Sequence, residues 1–567
     1  MISSSSILRS AGPRTLFLIG AMVTIAILLW THQMRLSGDR HGLAAIFFLL
    51  FAYNDYPGAA CELLILVGAI FVSRYLPARR VAQWAGDQPV VIAIITALLL
   101  ALGTLFIYHN HPLSMDEYAA YFQSRVFAQG QLHGSFPSAL LDWLIPRGFQ
   151  DYFLDVSRAT GSVIEAYWPG FALLLTPFTW AGVPWLCNPV ISALTLLVIH
   201  RLAFVLFDDR EAAGFALLLT IASPVIFASG ISYYSMPAHL LANSVFALLL
   251  VRPTPLRAAT AGVVGSFALA LHNPVPHILF AAPWLVWVAA RQDGARLLAT
   301  LIAGYLPLCA LLGLGWFLFS GHLMREGLVT VTASGAALDH LHGMIAVFSL
   351  PNATVVLARL IGIAKTWVWA VPGLMILAAV GAVRWRQEAL CRLFTASALL
   401  TLLGYFFVPV DQGHGWGYRY FHSAWMTLPL LATAALFRPA RRPQEASTPA
   451  RPLEDNETKG FVAACILLTL VFGIGFRAWQ MQDFVARDLS QVPQYEGTEK
   501  RVVILDGRSS FYGADLVQND PWLRGIEIRM YSHGAVADQQ MMAQYYPQLR
   551  RVFADRYGTV WSDIEHK

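Results

Sequence analysis

Charge is what this chain has least of. Asp, Glu, Lys and Arg make up 13% of 567 residues, about half the share usual in soluble domains. Lysine is scarcer still, confined to Lys365, Lys459, Lys500 and Lys567, so nearly every positive charge is an arginine. The net charge of +5 is not gathered into a patch but set at the ends of apolar segments, which reports topology and excludes a nucleic-acid partner. Cysteine is also rare. Cys61, Cys187, Cys309, Cys391 and Cys465 stand singly in or beside apolar runs, with no spacing suited to a metal site or a disulfide framework.

What fills the chain is lipid-soluble helix. Hydrophobic residues make up 57% of it, and mean hydropathy is +0.55. Runs at 91–106, 212–228 and 461–476 approach or reach the roughly 17–25 residues that a spanning helix needs. The first apolar segment, 15–30, lacks a small-residue cleavage site and is followed by more such segments, so it reads as an anchor that is retained.

Arginine placement predicts the topology. Apolar segments precede residue 109 at about 15–31, 41–53, 57–75 and 88–108, and the clusters Arg35/Arg40 and Arg74/Arg79/Arg80 mark inner loops. The segment 88–108 then leads outward into a long outer segment, 109–187, whose run 171–180 is too short to span and suits the interface. Ten further segments follow, near 188–206, 211–230, 236–251, 257–273, 276–291, 296–319, 355–383, 391–409, 421–437 and 459–477. Arg201/Arg210, Arg252/Arg257, Arg291/Arg296, Arg384/Arg386 and the Pro- and Arg-rich linker 438–458 fall inside, while 321–350, 411–420 and the tail from 478 fall outside. The expected fold is an all-α polytopic membrane protein of about thirteen to fourteen transmembrane helices with a small C-terminal extracytoplasmic α/β domain. The divisions are 1–87, 88–437, the linker 438–458, a last helix 459–477 and the tail 478–567, where 501–506 and 558–561 suit strands and 539–557 a helix. The tail has no glycine loop to cradle phosphate and carries no visible chemistry.

Two stretches stand out for chemistry. The first, 109–134, carries Asp116 and Glu117 directly after an apolar segment. Ser114 to Glu117 fits a capping box, with Gly130 ending the helix, and the same helix would present a carboxylate rigidly at the mouth of the bundle. The second is 411–420, where Gly413, Gly415 and Gly417 alternate with His414, Trp416 and Tyr418 before Arg419, a cation suited to holding a phosphate. Within the apolar segments, Lys365 beside Trp367 and Trp369 is a functional candidate, Arg359 suits snorkelling, and Glu62 suits pairing with a basic neighbour. His272, Asn273 and His277 flank Pro274 and Pro276, which favours capping or substrate contact over zinc, and His239 has the same standing.

An acidic pair in the first long outer loop, then Tyr167-Trp168-Pro169-Gly170, then a late Gly-x-Arg-Tyr, resembles the GT-C glycosyltransferases, within them the protein O-mannosyltransferase and aminoarabinose-transferase branch. The resemblance covers roughly residues 88–440. It implies transfer of a sugar from a polyprenyl-phosphate donor to a glycan, lipid or protein acceptor outside the cytoplasm, in a multi-pass protein of the cell's inner membrane. It implies Asp116 as catalytic base with Glu117 beside it, and Arg419 on the lipid phosphate. Lys365, His239, His272, Asn273, Tyr167, His414 and Tyr418 are the further substrate-binding candidates. His272-Asn273-Pro274 stands where many relatives have Arg-Pro. Arg or Lys can meet a monophosphate leaving group without a metal; no cofactor is expected, and a divalent metal is left open but not indicated. A transporter or lipid flippase using the same outer cavity is the alternative; the matching pair of broken helices common in such carriers is missing. A non-catalytic assembly partner, tolerant of a neutral residue 116, is the third reading.

Overall fold

The computed structural model describes residues 12–325, 349–440 and 456–563, apart from 496, 498, 510 and 511. The linker 438–458 and the loop 321–350 therefore lie largely outside the described residues. Among those described, seven helices are long and apolar enough to cross a membrane: Pro13–Ser37, Ala45–Tyr75, Pro89–Phe106, Pro184–Phe207, Gly294–Met324, Ala389–Phe407 and Asn456–Leu489. Arg210–Ile221 and Pro224–Gly230, bent by 63° at Pro224, add an eighth if they count as one. Shorter apolar helices, among them Met236–Leu250, Pro255–Ala270, Val275–Ala289 and Thr427–Leu436, pack between them. The chain is a multi-pass membrane protein. The expected thirteen to fourteen spans are reached only when the short helices are counted too.

One expected break is missing. Residues 41–53 and 57–75 form a single 31-residue helix, Ala45–Tyr75. The polar island Asn54, Asp55 and Pro57 reads as a loop, yet the backbone passes through it in a π turn, Leu50–Asp55, and Pro57 falls in the first turn of the α-helix that follows. The carbonyl of Asn54 accepts from Arg477 (3.0 Å) and from Gln480 (2.9 Å). Asp55 accepts from Lys365 Nζ at 2.7 Å and Trp369 Nε1 at 2.6 Å, and Arg477 lies 3.3 Å away. Inside a bilayer such groups persist only when the protein satisfies them. With one traverse fewer, the turn 38–44 lies at the same end of the bundle as Asp116, and Ala44 N–H donates to Asp411 at 2.7 Å. Arg40 is therefore not grouped with Arg79 and Arg80. Those two line a bowl at the opposite end with Arg14, Arg74, Arg438 and Lys459.

Gly58 allows this cluster to close. A Cβ there would stand 2.1 Å from Arg477 Nη2. Gly58→Ala should push the guanidinium off Asp55 and Asn54, at a cost of about 2 kcal/mol, the scale of a buried charged hydrogen bond. The check is the thermal midpoint of the detergent-solubilised protein, and an unchanged midpoint would show that Arg477 can retreat freely.

Two other charged residues differ from expectation. Arg359 does not snorkel: it is 1% exposed and donates to the carbonyls of Tyr405, Val408 and Val410 at 2.6–2.7 Å, tying its helix to the end of Ala389–Phe407. Glu62 is buried with both carboxylate oxygens lacking a hydrogen-bond partner, although Arg477 is close enough to act on it through space.

At the Asp116 end, residues 109–187 form the helix Met115–Ala128 and a small antiparallel sheet of β1 (Gly134–Ser135), β2 (Leu154–Val156) and β3 (Ser162–Glu165), in the order β1-β3-β2. The tail forms a second sheet from β4 (Arg501–Leu505), β5 (Glu527–Tyr531), β6 (Arg550–Asp555) and β7 (Gly558–Ser562), in the order β5-β4-β7-β6 with only β4 and β5 parallel. The helix expected over 539–557 is Ala535–Tyr545 instead. Pro547 ends the helical stretch, and β6 follows, turned into β7 by Asp555, whose carboxylate accepts from the Tyr557 and Gly558 N–H groups. The two sheets are not independent. Met115, Tyr118, Phe122 and Val126 of the acidic helix share one apolar core with Val502, Ile504, Ile528, Met530 and Met541 of the tail.

Candidate active site

The chain leaves Pro89–Phe106 through His109 (φ 54°) and Asn110 (φ 50°), two left-handed residues that reverse it into the acidic helix. Ser114 is extended at the N-cap position, but it makes no cap bond with its side chain. Its hydroxyl lies 2.8 Å from the Tyr234 hydroxyl instead, and Glu117 does not reach back to it. The expected capping box is absent because both of its members are engaged elsewhere.

Asp116 and Arg419, 303 residues apart, meet at 2.7 Å between Oδ2 and Nη1. Both are largely buried, at 16% and 13% side-chain exposure. The hydroxyl of Tyr167 donates to the other oxygen of Asp116. Tyr167 in turn lies against His272, ring centroids 3.9 Å apart. Burial alone would raise the Asp116 carboxyl, but Arg419 first, then His272 and the Tyr167 hydroxyl, more than offset it and hold the group below its ordinary value. It is therefore an ionised carboxylate at neutral pH.

The loop 411–420 is built to fold the arginine back. Gln412 is buried and staples the loop by donating to the carbonyls of Gly415 (3.1 Å) and Gly417 (3.0 Å), while its own oxygen accepts the Arg419 N–H (2.9 Å). Gly415 has φ 148°, and a Cβ on it would sit 2.4 Å from Arg419 Cδ, so only glycine lets that side chain lie along the loop. The guanidinium rests over the Tyr234 ring at 4.6 Å. Tyr234 OH also meets His414 Nδ1 at 2.8 Å.

Glu117, next to Asp116, faces the other way. It is fully buried and accepts from Tyr108 OH (2.8 Å) and from the Tyr233 N–H (2.9 Å). Burial pushes its carboxyl up to about 8, outweighing those donors. Glu117 is thus neutral near pH 7, which removes the like-charge penalty on Asp116. Glu117→Gln should retain most activity at pH 7 and should lack the decline expected of wild type as pH rises past about 8. The folded carboxyl holds its proton more tightly than the unfolded one, whose value is near 4.5. Stability therefore falls as pH rises from the lower value to the higher, and this variant should lack that slope too. Rate and thermal midpoint measured from pH 5 to 9 check both expectations.

The other candidates separate. His272 and Tyr167 belong to the site, and burial lowers the His272 imidazole to about 4, leaving it a neutral donor or acceptor. Asn273 caps the next helix by accepting the Val275 N–H at 3.2 Å. His414 backs the arginine through Tyr234, in ring contact with Trp416, Phe484 and Tyr512. Tyr418 packs on Gly362, with its ring centroid 5.9 Å from that of Tyr420. Lys365 is committed to Asp55. His239 is buried with neither ring nitrogen hydrogen-bonded, and His277 bonds Asn243 and Tyr305. Among the described residues no three His, Cys, Asp or Glu side chains group as a metal site.

Several site residues escaped the sequence reading. Tyr233 and Tyr234 hold Glu117 and Arg419, and Asn188 fixes their turn by donating to the carbonyls of Ser232 and Tyr234 at 2.7 and 2.8 Å. The polar-aromatic run Ser232-Tyr233-Tyr234-Ser235 between two apolar helices was a usable signal. Nothing in the sequence distinguished Asp515, which joins the acidic helix from the tail.

The membrane bundle that sets Asp116 against Arg419 has the fold of a solved glycosyltransferase, ArnT. It is similar to ArnT from Cupriavidus metallidurans bound to undecaprenyl phosphate, with a TM-score of 0.52 at 12% identity, covering 84% of this chain and 98% of that one. The same protein in the apo state gives a TM-score of 0.47 at 12% identity over the same shares. At that identity the likeness is one of fold. No family model matches the sequence, and no curated protein does.

Proposed function

We propose that this chain is an integral-membrane glycosyltransferase that moves a sugar from a polyprenyl-phosphate donor to a cell-envelope glycan, lipid or protein, with Asp116 as general base. The observation that carries the reading is the contact of Asp116 with Arg419 in a site that remains partly open. The acceptor oxygen attacks the anomeric carbon, the bond from that carbon to the phosphate oxygen breaks, and Asp116 takes the hydroxyl proton. Arg419 meets the charge left on the phosphate. The resting ion pair gives these steps an order. A donor phosphate that engages Arg419 draws the guanidinium from Asp116, and the carboxylate gains proton affinity as the acceptor needs a base. Tyr167 and His272 line the same site and are placed to contact the sugar. The arginine-lined bowl at the far end of the bundle supports an inner-membrane orientation with the site outside the cytoplasm.

The test uses the full chain in bilayers with labelled polyprenyl-phosphate sugars and membrane acceptors. Label transfer with matching release of polyprenyl phosphate is expected. Movement of intact donor across the bilayer without transfer would replace this reading with a carrier.

A further inference from the structure

The vacant cap of the acidic helix is filled from the far end of the chain. Asp515 Oδ1 accepts the backbone N–H of Met115, the first residue of that helix, at 2.8 Å. The two residues are 400 positions apart, and Asp515 is only 9% exposed. Its loop, between β4 and β5, is fastened to the same segment elsewhere. Gln518 donates to the Pro112 carbonyl at 2.6 Å, the Tyr118 hydroxyl bonds both backbone groups of Asn519, and Arg125 pairs with Asp520 at 2.6 Å. Meanwhile Ser114, the local residue that would ordinarily cap, is taken up by Tyr234.

We propose that Asp515 is the N-cap of the Asp116 helix and so a positioning residue for the base, which makes the tail a working part of the active site. The proposal rests on the reading of Asp116 given above. An N-cap acceptor fixes the first turn and keeps its remaining N–H groups aligned. Asp116 lies in that turn, so a frayed helix would both move its carboxylate and withdraw the positive helix end that helps keep it ionised. Tyr234 links the two functions, because one hydroxyl diverts Ser114 from the cap while its ring carries Arg419. The bond uses one carboxylate oxygen as acceptor, which an amide also offers, and burial, which raises the Asp515 carboxyl well above its ordinary range, works against the charge that an amide would lack.

The test compares Asp515→Ala, Asp515→Asn and Gln518→Ala in the full chain, with a labelled polyprenyl-phosphate sugar as donor. Asp515→Ala should lower kcat about 10- to 100-fold, the scale of a misplaced catalytic group, with donor KM within about twofold and the acid limb of the pH profile moved upward. Asp515→Asn should restore both kcat and the limb, and Gln518→Ala should resemble wild type. Equal losses in the alanine and asparagine variants, or a fall in Asp515→Ala matched by Gln518→Ala with no shift of the limb, would reduce the contact to general docking and overturn the proposal. Wild-type kcat in Asp515→Ala alongside an inactive Asp116→Asn would also overturn it while sparing the base. Full activity in both would remove the base itself.

Discussion

Asp116→Asn is expected to lower sugar transfer about 10²- to 10⁴-fold, the range a positioned general base supplies, while donor binding survives. Asparagine keeps the size and shape of the side chain and can still accept from Tyr167 at the position of Oδ1. It cannot take a proton near neutral pH. Arg419 then faces a neutral amide at 13% exposure, so its charge is freer for a phosphate than in wild type. Donor affinity should hold or rise as kcat collapses, a split that a merely misfolded variant would not give. Wild type should also keep its base below the usual carboxylate range, because Arg419 and the Tyr167 hydroxyl outweigh burial there. Measuring kcat and donor affinity separately checks the prediction. Transfer within twofold of wild type would remove Asp116 from the chemistry.

Asp55→Ala should be the most destabilising single change in the bundle, by about 3–5 kcal/mol, the cost of stripping one partner from a buried ion pair. Lys365 and Arg477 are 1% and 3% exposed and share that carboxylate. Without it two cations face each other among Phe47, Trp369 and the backbone of a π turn. Adding Lys365→Met should recover a substantial part of the loss, because it removes one of the two orphaned charges. Unfolding in detergent gives the numbers, and a loss below about 1 kcal/mol would mean that water or lipid already screens the cluster. Lys365→Met alone also decides its assignment. A donor ligand would raise KM with stability intact, whereas the geometry predicts lower stability with KM unchanged.

The class of fold was legible because its cause is local. Long apolar runs with arginine at one set of ends leave few arrangements other than a helical membrane bundle. The misreadings cluster where polar groups are satisfied at long range. Asn54 and Asp55 looked like a loop because their partners, Lys365 and Arg477, lie hundreds of residues away. Arg359 looked like a headgroup ligand because the carbonyls it holds belong to another helix. In the site, Asp116 and Arg419 stood out as charges beside apolar segments, and the glycine alternation marked the loop before Arg419, but not that the side chain folds back along Gly415. That Glu117 turns inward to Tyr108 and Tyr233 depends on a turn far along the chain, and residue spacing carries no trace of it.

The shared core between the acidic helix and the tail also sets a timetable. At roughly 5–20 residues per second of synthesis, Asp515 follows Met115 out of the ribosome by about 20–80 s, the time for the 400 intervening positions. Throughout that interval the helix has been made but is unclamped, and the tail residues Val502, Ile504, Ile528, Met530 and Met541 of its apolar bed do not yet exist. A nascent or C-terminally clipped chain is thus a membrane-embedded bundle whose acidic helix lacks its tail contacts, and those contacts arrive only with the last strands.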